Sequence, residues 1–188
     1  MWTIENVRTD LQGQIGLELF YHSLRVAETA RDLAKFYDVD HEKAYYAALI
    51  HDYAKEMKLD AMAQIADEQE LLSCPLERTS TGLLHAPVGA YLVQQAYDIY
   101  DAEIIQAINY HTIAGLDMDL LSKIVFMADK IEPGRNYPDH KHLFQLTFKN
   151  IDEAILFSVD LNIRDCIRRR HKLHPRSNIV RNYLLDTL

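Results

Sequence analysis

Apolar residues recur at spacings of three and four along almost the whole chain, and helix-interrupting residues are scarce, with six glycines and five prolines in 188 positions. That spacing lines one face of a helix at every turn, whereas a strand needs strict alternation, which no stretch sustains. An all-α fold is therefore expected. A chain of 188 residues can bury a sizeable core once but is short for two ordinary domains, so one helical bundle over 1–188 is expected.

A short N-terminal segment leads through Gly13 and Gly16 into a helix from about Leu17 to Tyr37, whose stripe of Leu19, Val26, Ala30, Leu33 and Tyr37 also carries His22. Asp38-Val39-Asp40 supplies an N-cap for a second helix running through Ile50, with His51 pointing inward at its end. A third helix spans about Leu59 to Leu71, and Cys74-Pro75 to Gly82 reads as a loop able to rim a site. The next helix places His85, Val88, Leu92 and Ala96 on one face, with Pro87 in its first turn, where a missing N–H is harmless. Asp101 to His111 aligns Ile104, Ile108 and His111, and about Asp119 to Ile131 aligns Leu121, Val125 and Asp129 before Pro133-Gly134. Beyond Pro138, a helix near Asn150 to His171 and a shorter one near Ser177 to Leu185 complete residues 139–188, a cover over a core of about 17–135.

Composition narrows the partners. A net charge of −8 disfavours broad binding to nucleic acid, which needs a basic face against the phosphates, and the basic run from Arg164 to Lys172 reads as a solvated helix end. A small anionic substrate remains compatible if placed cations or a metal supply local positive charge. No stretch has the apolar length of a membrane span, and the first residues lack a basic start and apolar core, so a cytoplasmic protein is expected. Cys74 and Cys166, the only cysteines, fit a reducing compartment as ordinary thiols.

The chemistry gathers around His51-Asp52. The pair follows the apolar run Ala44 to Ile50, where a charged carboxylate without a partner would be expensive. His22, His51, Asp52, His85, His111 and Asp129 come from five predicted helices, and all but Asp52 lie on apolar stripes where polar residues are rare. One such residue alone is a hydrogen-bonded core histidine. Six together supply the imidazole nitrogens and carboxylate oxygens of a metal site in a bundle, suited to iron, manganese or zinc.

One His, an HD pair and a distant Asp, here His22, His51-Asp52 and Asp129, resemble the signature of the HD-domain phosphohydrolases. His-Asp-Tyr-Ala-Lys at 51 to 55, Leu-Leu-His-Ala-Pro-Val-Gly-Ala at 83 to 90, His-Thr at 111 to 112 and Ala-Asp-Lys-Ile-Glu-Pro-Gly-Arg at 128 to 135 are similar to the YqeK-type symmetrical dinucleoside tetraphosphatases. The resemblance implies an HD-domain bundle, an iron centre of one or two ions (Fe²⁺/Fe³⁺, with Mn²⁺ or another divalent ion as the alternative), and cleavage of diadenosine tetraphosphate to two ADP. A metal ion suits this reaction because it lowers the pKa of water toward neutrality and so supplies a nucleophile for phosphorus. His22, His51, Asp52 and Asp129 are the expected ligands, with Asp52 able to bridge two ions. His85 and His111 either hold a second ion or contact phosphate.

Lys55, one turn past His51, returns its ammonium to the same mouth; Arg25, three residues after His22, and Arg135, past Pro133-Gly134, reach toward it, and Thr112 adds a hydroxyl. Asp52, Lys55, His85, His111 and Arg135 are expected in catalysis, and His22, Arg25, Lys55, His85, His111, Thr112 and Arg135 at the substrate. Glu132 reads either as a group orienting Arg135 or a ligand histidine, or as an exposed helix-end acid. Two other readings stand beside this one: a different HD-type enzyme, such as a nucleoside monophosphate phosphatase or cyclic-nucleotide phosphodiesterase, and a metal-dependent nucleotide-binding module without turnover.

Overall fold

Asp40, Asp101, Asp119 and Asn150 each stand just before a helix, and their side chains accept hydrogen bonds from first-turn N–H groups that have no partner inside the helix. The computed structural model describes residues 3–188 and contains ten α-helices and no strand among the described residues. They are α1 (Ile4–Gln14), α2 (Leu17–Phe36), α3 (His41–Leu49), α4 (Leu59–Glu68), α5 (Thr81–Tyr97), α6 (Ala102–Tyr110), α7 (Leu120–Ile131), α8 (His140–Thr147), α9 (Ile151–Arg169) and α10 (Pro175–Thr187), with one 3-10 turn at Glu77–Thr79.

Four helices form the centre: α2 packs on α3 and α7, α6 packs on α3 and α7, and α3 also meets α7. Their buried faces are rich in small residues, Ala27, Ala30 and Ala34 on α2 and Ala44, Ala47 and Ala48 on α3. Alanine lets two backbones approach closely and leaves no room for a larger side chain, so an Ala47→Leu change would overpack this seam by about 1–3 kcal/mol. The close approach has a functional consequence, for it sets the His22 and His51 rings 5.5 Å apart. A second apolar cluster, Ala54, Met62, Ala63, Ala66, Leu84 and Val88, anchors the segment after His51-Asp52 between α4 and α5. Helix α9 lies on α7, and α8 and α10 pack against α9.

The structure departs from the sequence reading in several elements. The segment before Gly16 is a full helix, α1, that buries only Val7 and Leu11, and α8 buries only Leu143 and Thr147. Two buried positions each make too thin a stripe to register as a helix. The third helix stops at Glu68 rather than Leu71. Pro87 is not in a first turn: α5 begins at Thr81, so the proline sits in the second turn and removes the hydrogen bond to the Leu83 carbonyl. Asp52 was off-stripe for a simple reason, since α3 ends at Leu49 and both members of the pair lie in the turn beyond it.

Candidate metal centre

Six side chains meet at the middle of the bundle: His22 from α2, His51 and Asp52 from the turn after α3, His85 from α5, His111 from the C-cap of α6, and Asp129 from α7. The rings of His51, His85 and His111 are 1% exposed or less. Each of these three points Nδ1 at a carbonyl oxygen of its own chain segment: His51 at Ala48 (2.6 Å), His85 at Thr81 (2.9 Å) and His111 at Ile108 (2.6 Å). A carbonyl only accepts, so in the neutral rings Nδ1 carries the hydrogen and Nε2 presents a lone pair. His22 directs Nδ1 to Glu132 Oε1 at 3.1 Å, with the same result.

All four Nε2 atoms face the carboxylates. His22 Nε2 lies 3.2 Å from Asp129 Oδ1 and 3.7 Å from Asp52 Oδ2, and His51 Nε2 lies 3.4 Å from Asp52 Oδ2. On the other side, Asp52 Oδ1 is 3.0 Å from His85 Nε2 and 3.2 Å from His111 Nε2, which are themselves 2.9 Å apart. Asp52 therefore divides the site, one oxygen toward His22, His51 and Asp129 and the other toward His85 and His111.

These atoms are nearly all acceptors, and acceptors crowded at such distances repel unless a cation lies among them. His51 Nε2 is buried with no hydrogen-bond partner, and an orphaned lone pair aimed at two carboxylates is what a metal ion would satisfy. The ligand atoms of His22, His51 and Asp129, and those of His51, Asp52 and His111, each lie within 4.8 Å of one another. The residues present fit a divalent ion with nitrogen and oxygen ligands.

The electrostatics agree. Burial works to raise the Asp52 carboxyl, but His51, His111 and His85 outweigh it and hold Asp52 well below the usual carboxylate range. Asp129 is held low in the same way, against burial, by Lys130, His22, His51 and Arg135. Burial pushes His111 down to about 4, with the facing Asp52 offsetting only part of it, so this imidazole stays neutral. At His51 burial is overcome by Asp52 and Asp129, and the ring is raised. Without a metal, a proton is the cation that this pair of carboxylates attracts.

A rim of donors surrounds the acceptors. Lys55 Nζ lies 3.1 Å from His85 Nε2 and 3.4 Å from Asp52 Oδ1, and Thr112 Oγ1 lies 3.1 Å from His111 Nε2. Arg135 is brought in as expected but is partly committed: Nε donates to the Asp129 carbonyl at 2.7 Å and Nη2 pairs with its carboxylate. Arg25 does not aim into the mouth; its Nε donates to Glu132 Oε2 at 2.6 Å. Glu132 is not an exposed helix-end acid, since it is only 2% exposed.

Three contributors were not foreseen. Lys130 donates to the His111 carbonyl at 3.1 Å and to Asp129 Oδ2 at 3.2 Å, tying α6 to α7 beneath the site; its place beside Asp129 in the 128 to 135 motif was the available signal. The C-terminal cover comes up beside Thr112, at the edge of the site. Arg176, on the first turn of α10, lines a cavity of about 180 Å³ together with Thr112, Tyr110, Ala86 and Glu77. Next to it His174 accepts the Arg176 N–H on Nδ1 (3.1 Å), which leaves Nε2–H to donate to Glu77 Oε1 (3.1 Å) beside Cys74. A ring nitrogen already committed as a donor is not a metal ligand, so this second His-Cys-Glu group pins α10 to the loop before α5. No sequence signal linked these distant segments.

Comparison with known proteins places this geometry. The HD domain family model matches residues 19–134, the stretch that contains all six central side chains. The chain is 36% identical over 166 residues to the symmetrical bis(5'-nucleosyl)-tetraphosphatase of Halalkalibacterium halodurans, covering 88% of each chain. It is 33% identical to the protein of the same name from Bacillus subtilis, covering 89% of each. A crystal structure of a predicted HD superfamily hydrolase involved in NAD metabolism, from Clostridium acetobutylicum, superposes with a TM-score of 0.95 at 32% identity over the full length of both chains. The matched core, the paired His51-Asp52 at its centre and the extent of these similarities assign the chain to the HD domain family, within its YqeK-type symmetrical bis(5'-nucleosyl)-tetraphosphatases.

Proposed function

We propose that this chain is a metal-dependent hydrolase that cleaves diadenosine tetraphosphate at its central phosphoanhydride to give two ADP. The observation that carries the reading is the division of Asp52, whose two oxygens face two sets of imidazole Nε2 atoms. His22, His51, Asp52 and Asp129 would hold the metal. The pairing of His85 and His111 on the far oxygen of Asp52 favours a second ion there over direct phosphate contact. A donor set of imidazole and carboxylate without thiolate suits iron, with manganese as the alternative. When bound, such an ion lowers the pKa of water and draws charge from phosphoryl oxygens.

The protein's own groups supply the rest. Asp52, Asp129 and Glu132 are opposed by Lys55, Lys130, Arg25 and Arg135, three acids against four bases, so the site carries about one net positive charge before any metal binds and would be more positive toward a polyphosphate with a divalent ion held there. Attack of water on an inner phosphorus breaks the central P–O–P bridge, and the departing ADP oxygen gains charge. Lys55, 42% exposed at the mouth, would pair with phosphate oxygens in the bound substrate and the transition state alike, and the Nη1 group of Arg135 remains for phosphate. A small nucleotide polyphosphate as substrate, with neither nucleic acid nor membrane as partner, one HD domain over 1–188 and a cytoplasmic location complete the proposal, the last two supported by the continuous packing of α7 on α9 and by two free thiols.

Metal-loaded protein incubated with diadenosine tetraphosphate should yield ADP alone, read by chromatography; ATP plus AMP would mean asymmetric cleavage and overturn the assignment. Lys55→Ala should keep its metal and raise KM by about 10- to 100-fold, the worth of a charge-assisted hydrogen bond to phosphate. Steady-state kinetics beside a metal assay checks this, and an unchanged KM would remove Lys55 from the substrate.

A further inference from the structure

Glu132 follows the last residue of α7, and its carboxylate is shared between two faces. Oε2 takes the Arg25 Nε hydrogen at 2.6 Å and the Gly134 N–H at 2.5 Å, while Oε1 faces His22 Nδ1 at 3.1 Å and has Arg25 Nη2 farther off, at 3.5 Å. Gly134 leaves room for this arrangement, because a Cβ there would sit 2.7 Å from Nε and Nη2 of Arg25 and the guanidinium would have to shift. A guanidinium and a backbone amide can only donate, so the Oε2 side must always be an acceptor. A carboxylate then also presents an acceptor to His22.

We propose that Glu132 is a positioning residue that sets the tautomer of His22, holding its proton on Nδ1 and keeping Nε2, 3.2 Å from Asp129 and 3.7 Å from Asp52, as a bare lone pair for the metal. The idea rests on the metal-centre reading above. It makes an unusual demand of the conservative variant Glu132→Gln. Arg25 and Gly134 would keep the amide oxygen on their side, so the amide NH₂ would face His22 and require Nδ1 to accept. The proton would then move to Nε2, the nitrogen the metal needs.

The experiment is nitrogen-15 NMR of the imidazoles in metal-free protein, at a pH above the ordinary imidazole range, beside Mn²⁺ titration against a chromophoric chelator. Wild-type His22 should show the Nδ1–H form and Glu132→Gln the Nε2–H form, with Mn²⁺ affinity reduced about 10- to 100-fold, the usual cost of removing such a partner. A general loosening of the fold would carry His51, His85 and His111 away from their Nδ1–H forms as well, so these three rings, held by backbone carbonyls, are the internal control. An Nδ1–H tautomer in Glu132→Gln with affinity within about twofold of wild type would overturn the proposal. Should the variant not fold, the wild-type spectrum decides, since an Nε2–H tautomer at His22 there overturns it and Nδ1–H supports it. Neither readout depends on turnover, so a protein that binds metal but leaves diadenosine tetraphosphate intact would refute the proposed reaction and not the role of Glu132.

Discussion

Asp52→Ala is expected to lose both metal and turnover, with hydrolysis falling by about 10⁴-fold or more, as when one member of a concerted catalytic set is removed. The size follows from position. Asp52 is 3% exposed and lies between all four imidazole Nε2 atoms, so no neighbour can swing in to replace it. Without the carboxylate, His85 and His111 keep their Nε2 lone pairs 2.9 Å apart with nothing anionic to hold a cation between them. Asp52→Asn makes a useful companion. Its NH₂ would donate to one pair of imidazoles and satisfy them without any ion, so this variant should fold well and still be inactive. Metal analysis of the purified proteins and a discontinuous ADP assay test the pair; an Asp52→Ala enzyme that retains metal and activity would remove Asp52 from the centre of the mechanism.

The features readable in the sequence were those with local causes. Spacing of three and four reports which side of a helix is buried, and it is enough to place His22, His85, His111 and Asp129 inward. Asp52 has no such periodic signal, because it lies in a turn; the cost of a carboxylate after a buried apolar run and the HD pair itself mark it instead. Glu132 was ambiguous for the opposite reason. A glutamate followed by Pro133-Gly134 looks like an exposed helix end, and its burial comes from α2 packing across α7 and delivering Arg25. Arg25 was misdirected by the same omission, since its nearest anionic partner lies 107 positions away. Pairings over such separations, including Glu77 with His174, are set by how helices stack and have no periodicity to betray them.

Chelation should lower the melting temperature as well as abolish hydrolysis, and the size of the effect should depend on pH. A ligand that binds only the folded state stabilises it by about 4 kcal/mol at a thousand times its dissociation constant. For a chain of this length each kcal/mol moves the midpoint by about 2–4 °C, so metal-saturated protein should melt about 8–16 °C above chelated protein. The sign of the pH dependence comes from His51, whose metal-free value is raised because Asp52 and Asp129 outweigh its burial. A raised folded value gives metal-free protein extra stability that is fully present below the ordinary histidine pKa and is lost as pH rises through the folded value. The metal has the opposite dependence, because it needs the neutral ring and is displaced as pH falls through that same value. The two trends separate the melting curves, and the gap between loaded and chelated protein should widen from mildly acidic to mildly alkaline pH. In Asp52→Ala the gap should vanish at every pH. Thermal melts followed by circular dichroism, with and without chelator, measure it directly, and a wild-type gap that is absent or narrows with rising pH would contradict a metal held at His51.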